Sequence, residues 1–254
     1  MKTILITGCS SGFGLATALH FLERDWRVIA TMRSPDPDLL PASDRLHIVS
    51  LDVTRADGIA EAVKAAGPID ALVNNAGAGL MGALEAVPMD AARAVFEVNT
   101  FGTMAMTQAV LPGFRAQGSG VVVNVSSAVT MKPFPLLSAY TASKAAVDAF
   151  SEDLALEVAP FGIRVRLVMP GSAPETPFSA SARARSQGSI PAVYADWAKQ
   201  VFAAAAEQPR RVTTAEDVAA AVWQAVTDPK SPERIPADAD AVALAARSRL
   251  TIAS

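Results

Sequence analysis

The 254-residue chain has one cysteine and two histidines, and both scarcities exclude chemistry. Cys9 standing alone allows no intrachain disulfide, which is compatible with a reducing compartment. His20 and His47 lie far apart with no cysteine or carboxylate cluster beside them, which argues against a transition-metal site. No uninterrupted apolar run approaches the ~18 residues a spanning helix needs, so neither a membrane span nor a membrane partner is expected. No stretch carries charge of one sign. The formal net charge is -3 with signs mixed along the chain, which leaves no basic stripe for nucleic acid. Strand-like residues begin within three positions of Met1, leaving no room for a signal peptide, and a cytoplasmic location is expected. What is plentiful is apolar surface: 51% of residues are hydrophobic, enough for a sizeable core. The partner these properties favour is a small molecule.

Short β-rich apolar runs recur at Thr3 to Thr7, Arg27 to Met32, His47 to Leu51, Ala71 to Val73, Val121 to Val125 and Ile163 to Val168. Runs such as VVVNV and RVRLV lack the polar alternation of a half-exposed strand, so they are predicted to be covered on both faces. Between them, apolar residues return at three- and four-residue spacing over 15–25, 101–116, 139–158 and 215–227, the signature of amphipathic helices. Strand then helix, repeated about six times, predicts an α/β fold: a three-layer, doubly wound parallel sheet with helices on both faces. No interdomain linker or repeat is visible, so residues 1–254 are read as one domain. A loop or lid is expected over about 172–200, and a C-terminal extension with a short extended piece at Arg234 to Ala237 over about 228–254.

The first strand runs into TGCSSGFG, which fits two chemistries. Gly8-Cys9-Ser10-Ser11-Gly12 matches the G-x-S-x-G turn of a hydrolase nucleophile. That turn needs an acid and then a histidine downstream, and His47 would compress the whole catalytic order into the first fifth of the chain. Gly8, Gly12 and Gly14 suit a phosphate-cradling turn better: without Cβ the backbone approaches a pyrophosphate closely, and the following helix presents free N–H groups and the positive end of its dipole. Ser10 and Ser11 then become hydroxyl donors. The spacing G-x-x-x-G-x-G differs from the common G-x-G-x-x-G, and three such glycines alone also suit an ordinary tight turn.

Tyr140 and Lys144 stand four apart in SAYTASKAAVDAF, on one face of a predicted helix. An ammonium close to a phenol favours the phenolate, so the Tyr140 pKa is expected to fall toward neutrality, where it serves as acid and base for a carbonyl. Ser127 follows the strand VVVNV at the carboxyl edge, where parallel sheets bind ligands. Asn99, between two helical patterns, is placed to interrupt regular backbone bonding. Individually these signals are weak: Y-x-x-x-K is usually a solvated helix pair, NNAG at Asn74 to Gly77 an ordinary turn, and Pro170-Gly171 loop punctuation.

Taken together, TGCSSGFG, LDV, NNAG, VN, VSS, YTASK and PG resemble the short-chain dehydrogenase/reductase family from residue 3 to about 178, with a pattern similar to members acting on steroids and retinoids. The resemblance implies a Rossmann-type sheet of about seven strands in the order 3-2-1-4-5-6-7. It implies Tyr140 as proton donor or acceptor, Ser127 orienting the substrate oxygen, Lys144 holding the nicotinamide ribose, and Asn99 positioning a proton-relay water. It further implies cofactor contacts from Gly8, Ser10, Ser11, Gly12, Phe13 and Gly14, from Asp52 and Val53 at the adenine, from Asn74, Ala76 and Gly77 along the adenosine, and from Pro170, Gly171 and Ala173 near the nicotinamide. Two departures are visible. Where many relatives have threonine five residues after the PG proline, this chain has Glu175, with Thr176 one further along, and AVTMKPFP after VSS lacks a frequent glycine. Such members often pair through the helices near 101–116 and 139–158, implying a homodimer or homotetramer.

The end of the second strand, RVIATMRS, has Met32 where a carboxylate would select NAD, followed by Arg33, which suits a 2′-phosphate. NADP(H) is therefore favoured, with NAD(H) as the alternative. Phe178, Ile190, Val193, Tyr194 and Trp197 in the expected lid favour a hydrophobic alcohol or ketone. A non-catalytic dinucleotide-binding regulator is the competing reading, and the joint presence of Ser127, Tyr140 and Lys144 argues against it.

Overall fold

In the computed structural model, which describes residues 1–173, 176–186, 188–207 and 212–251, the apolar runs form one parallel sheet. The strands are β1 Thr3–Thr7, β2 Arg27–Met32, β3 Leu46–Ser50, β4 Ala71–Asn74, β5 Gly120–Val125, β6 Ile163–Met169 and β7 Arg234–Pro236. Their order is β3-β2-β1-β4-β5-β6-β7 and every pairing is parallel. The expected order is thus the observed one, and the first two strands have the expected bounds. β1, β4 and β5 are buried along their whole length, as their unalternating sequences require.

Helices cover both faces. On one side α1 (Gly12–Leu22) and α8 (Ala215–Thr227) pack against each other, with Phe21, Trp26 and Trp223 in edge-to-face contact. On the other, α2 (Ala56–Ala66), α4 (Gly102–Gln117) and α5 (Ser138–Val158) bury Ile59, Met106, Phe114, Leu154 and Val158 against the sheet. Between α3 (Met89–Phe96) and α4 the backbone runs through a π turn, Glu97–Phe101, with Asn99 at its middle. The sequence placed Asn99 at a break in regular bonding, and the wider turn is that break. The remaining helices are α6 (Pro177–Arg185), α7 (Ala195–Glu207) and α9 (Ala239–Thr251). Among the described residues no helix is long and apolar enough to cross a membrane, and none of their His, Cys, Asp and Glu side chains form a group able to hold a metal ion.

This topology gathers the carboxyl ends of β1, β4, β5 and β6 along one edge. The residues singled out for chemistry lie at or just beyond one of those ends, after β2 or β3, in the π turn, or on α5.

Candidate active site

The glycine turn is built from backbone that tolerates no other residue at two of its three glycines. Gly8 has φ +75°, and a Cβ on it would stand 2.9 Å from the Cα of Ala76; a Cβ on Gly14 would stand 2.2 Å from the carbonyl oxygen of Gly8 and 2.5 Å from Asn75 Nδ2. Gly12, at φ +54°, faces open space. Ser11 precedes α1 in extended backbone without a side-chain hydrogen bond to the helix, and no acidic residue sits in its first turn. The first N–H groups of α1 and its positive end are therefore available to an anion, and the turn fits a pyrophosphate. Ser10 is exposed, and Phe13 is half-buried against the core.

Two residues the sequence reading passed over hold this turn. Thr7 Oγ1 accepts from the backbone N–H groups of Asn75 and Ala76, both at 3.0 Å, and Asn75 Nδ2 donates to the carbonyls of Thr7 at 2.9 Å and Gly8 at 3.1 Å. The loop after β4 is thereby tied to the loop after β1. Asn74 faces elsewhere: its Nδ2 donates to Thr107 Oγ1 and to Asn124 Oδ1, inside the layer between sheet and helices. Gly77 lies at the junction with the catalytic candidates, where a Cβ would meet Asn99 Oδ1 at 3.4 Å and Lys144 Nζ at 3.7 Å.

At the end of β2, Met32 is buried and Arg33 is exposed, close enough to Asp52 to help hold its carboxyl below the usual range, after the larger effect of two hydrogen bonds from Thr54. Val53 is buried, and a side chain on Gly102 would strike it.

Ser127 follows β5, and its hydroxyl lies close enough to the phenol of Tyr140 on α5 to favour the phenolate. Lys144, one turn further along α5, donates from Nζ to the carbonyl of Val125 at 2.9 Å. Asn99 is fixed by three bonds: its Oδ1 accepts from the Ala78 N–H at 2.7 Å, and its Nδ2 donates to the Ala78 carbonyl at 2.9 Å and to Ser143 Oγ at 3.0 Å. Asn99, Ser127, Tyr140 and Lys144 are all buried. Burial pushes the Tyr140 phenol up to about 12, against a smaller lowering by the Ser127 hydroxyl. It brings Lys144 down to about 8, opposed by the charge of Asp148. The expected fall of the phenol toward neutrality is thus corrected: both groups are out of water, which disfavours their charged forms, and the ammonium bonds Val125 rather than the phenol.

After β6, Pro170 is buried and accepts from the Ala128 N–H at 2.8 Å. Gly171 donates to Asp238 Oδ2 at 3.2 Å, and Asp238 also bonds the hydroxyl of Thr213, so a side chain at Gly171 would collide with both. Neither Asp238 nor Thr213 was singled out from sequence. Thr176 caps α6: its Oγ1 accepts from the Ser179 N–H and donates to the Ala173 carbonyl at 2.9 Å. Glu175 lies outside the described residues. α6 lies against the loop after β4. A Cβ on Gly79 would reach Ala182 at 2.7 Å and the Phe178 ring at 3.0 Å, and that ring stands 6.0 Å from the ring of Tyr140. Of the expected apolar lid residues, Ile190 and Tyr194 pack partly against Ala83, Leu136 and Ala198, while Val193 and Trp197 are exposed.

A family model described as short chain dehydrogenase matches residues 2–187, which include the glycine turn, Asn99, Ser127, Tyr140 and Lys144. The chain belongs to the short chain dehydrogenase family. Among the relatives of this short chain dehydrogenase are the uncharacterized oxidoreductase YusZ of Bacillus subtilis, 46% identical over 182 residues, and human retinol dehydrogenase 8, 37% identical over 181. Each match covers 67% of this chain, and respectively 65% and 58% of the relative, so the chain spans less than two-thirds of those proteins. A short chain dehydrogenase from Burkholderia cenocepacia, solved with NADP, is 28% identical with a TM-score of 0.78 over 99% of this chain and 97% of its own. A 3-ketoacyl-(acyl-carrier-protein) reductase from Brucella melitensis, solved with NADH, is 27% identical with a TM-score of 0.75 over 92% and 96%.

Proposed function

We propose that the chain is an NADP(H)-dependent oxidoreductase, one domain with residues 172–200 as its substrate lid, that interconverts a secondary alcohol and a ketone or aldehyde on a small hydrophobic substrate. The observation that carries this reading is the burial of Ser127, Tyr140 and Lys144 together, at the same sheet edge as the phosphate-fitting turn. The nicotinamide, when bound, supplies or accepts the hydride. Gly8 to Gly14 would hold the pyrophosphate, Asp52 and Val53 the adenine end, and Lys144 the nicotinamide ribose. Ser127 Oγ donates to the substrate carbonyl oxygen and orients it. Tyr140 gives its proton to that oxygen as the carbon is reduced, and the ammonium of Lys144 stabilises the phenolate left behind. A phenol that burial keeps protonated suits the reductive direction at neutral pH. Asn99, held rigidly in the π turn, lies beside Gly77 and Lys144 and would position the water that returns the proton. Phe178 over Tyr140 lends the pocket its apolar wall, in keeping with a hydrophobic substrate such as the named substrate of the retinol dehydrogenase relative. The exposed Phe101 and Leu156, near and on α4 and α5, support pairing of two or four copies through these helices.

Mixing the protein with NADPH and a panel of apolar ketones and aldehydes, while following nucleotide absorbance, tests the reading. Turnover is expected, and nucleotide binding without turnover would favour the regulator instead. Arg33 carries the nucleotide preference. Arg33→Ala removes a charged partner of the 2′-phosphate, worth about 1.5–3 kcal/mol, so the Kd for NADPH is expected to rise ~10- to 100-fold. The Kd for NADH should change little, and titration calorimetry with the two nucleotides separates the cases. Equal losses for both would remove the argument for NADP(H).

A further inference from the structure

Behind the two residues that carry the chemistry lies a buried carboxylate that neither sequence nor family comparison singled out. Asp148 sits on α5 one turn beyond Lys144 and two beyond Tyr140, and only 4% of it is exposed. Burial raises its carboxyl above the usual range, and the hydrogen bond from Ser126 with the charges of Arg234 and Lys144 opposes that rise in favour of the ionised form. Asp148 Oδ1 accepts from the hydroxyl of Ser126, the hydroxyl of Thr130 lies near enough to favour the charged form, and Oδ2 pairs with Arg234 Nη1 of β7 at 3.2 Å. Arg234 is itself held by Glu152 at 2.7 Å, on the same helix. These, with Lys144, are the charged and polar groups facing the carboxylate, drawn from β5's end, the turn after it, α5 and β7.

Ser126 is the residue that makes this cluster matter. It lies between Val125, whose carbonyl receives Lys144 Nζ, and Ser127, whose hydroxyl stands beside the Tyr140 phenol. Its own N–H donates to the Val168 carbonyl of β6 at 2.8 Å. The catalytic candidates thus come from two pieces of chain: the strand end Val125–Ser127 and the helix bearing Tyr140 and Lys144. The Asp148–Ser126 bond joins those pieces from behind. The same carboxylate is the charged group that opposes the loss of the lysine's proton, acting through space, since Lys144 Nζ itself bonds Val125.

We infer that Asp148 is a positioning residue: through Ser126 it fixes Ser127 beside Tyr140, and its carboxylate shares a face of α5 with Lys144. The inference deepens the oxidoreductase reading and rests on it for the catalytic consequence, but the effect on Lys144 is measurable without turnover. The test is a pH titration of full-length protein carrying 13Cε-labelled lysine, with the Lys144 signal assigned from Lys144→Arg. In Asp148→Asn, which keeps the shape and removes the charge, Lys144 is expected to titrate about one pH unit lower or more, as removal of a nearby opposite charge dictates. Asp148→Glu should return it toward the wild-type value. Superimposable titrations of wild type and Asp148→Asn would overturn the inference and leave the oxidoreductase reading standing. Absence of turnover by wild type, with the titration shifted as expected, would do the reverse. Should Asp148→Asn not fold, Ser126→Ala removes the tie without a charge. The expected result is a kcat at least ~5-fold lower with the KM for nucleotide unchanged, and a kcat within twofold of wild type would overturn the positioning role.

Discussion

Tyr140→Phe is expected to lower kcat for carbonyl reduction by about 10²- to 10⁴-fold, the range a positioned general acid contributes, while the Kd for NADPH stays within about threefold. The substitution removes one oxygen from a side chain that is otherwise packed against Ala78, Leu80, Val95 and the rings around it, so no cavity follows. What is lost is the only proton within the Ser127–Tyr140 pair that sits on a phenol. Its surroundings hold that proton firmly: the group is buried, its pKa lies near 12, and Lys144 is directed at Val125. Stopped-flow absorbance with NADPH and a reducible carbonyl gives the rate, and nucleotide fluorescence gives the affinity. A variant that reduced carbonyls at the wild-type rate would refute the assignment of Tyr140 as the acid.

The second large effect lies in the backbone. Gly14→Ala places a methyl 2.2 Å from the Gly8 carbonyl oxygen, which is backbone, and 2.5 Å from Asn75 Nδ2, which hydrogen bonds to the Thr7 and Gly8 carbonyls hold in place. Gly8 is tied in turn to Asn75, and Asn75 to Thr7, so relief requires α1 and the loop after β4 to separate. Overpacking of this kind costs about 3 kcal/mol, which for a chain of this size lowers Tm by about 6–12 °C. Nucleotide affinity is expected to fall at least ~10-fold, because the free N–H groups of the first turn of α1 move with the helix. Gly113→Ala supplies the contrast: nothing lies within 4 Å of its added methyl, and alanine is the better helix former, so Tm should hold or rise. Calorimetric scans of the three proteins, with and without NADPH, check both statements.

Much of this molecule was readable before the structure. The strands announced themselves because a parallel sheet covered on both faces leaves unbroken apolar runs, and β1 and β2 fall where those runs do. The family resemblance carried the strand order and the four catalytic candidates, and the π turn at Asn99 answers to the break expected there. The illegible part has a common physical form. Thr7, Asn75, Asp148, Thr213 and Asp238 act through side-chain bonds to partners mostly 20 to 86 residues away. Such bonds have no period and no composition signal, and only folding brings their ends together. Asn74 shows the same limit from the other side: adjacent to Asn75 in the sequence, it points across the strand into the Asn124–Ser151 ladder, because alternate residues of a strand face opposite ways. The direction of the Tyr140 shift escaped sequence reasoning for a related reason. Helical spacing brings a lysine to the same face as a tyrosine, but how much water reaches either is settled by α5 lying against the sheet.

The position of β1 has a consequence for how the chain is made. Of the seven described strands it is the first in the chain, yet it ends in the interior of the sheet, between β2 and β4. Its pairing with β2 can form once residue 32 has emerged, but its other edge stays open until residues 71–74 follow. For that interval the nascent chain presents a bare strand edge with an apolar centre, of the sort that recruits foreign strands, so synthesis rate and chaperone supply, more than the finished protein's stability, should govern how much native material accumulates.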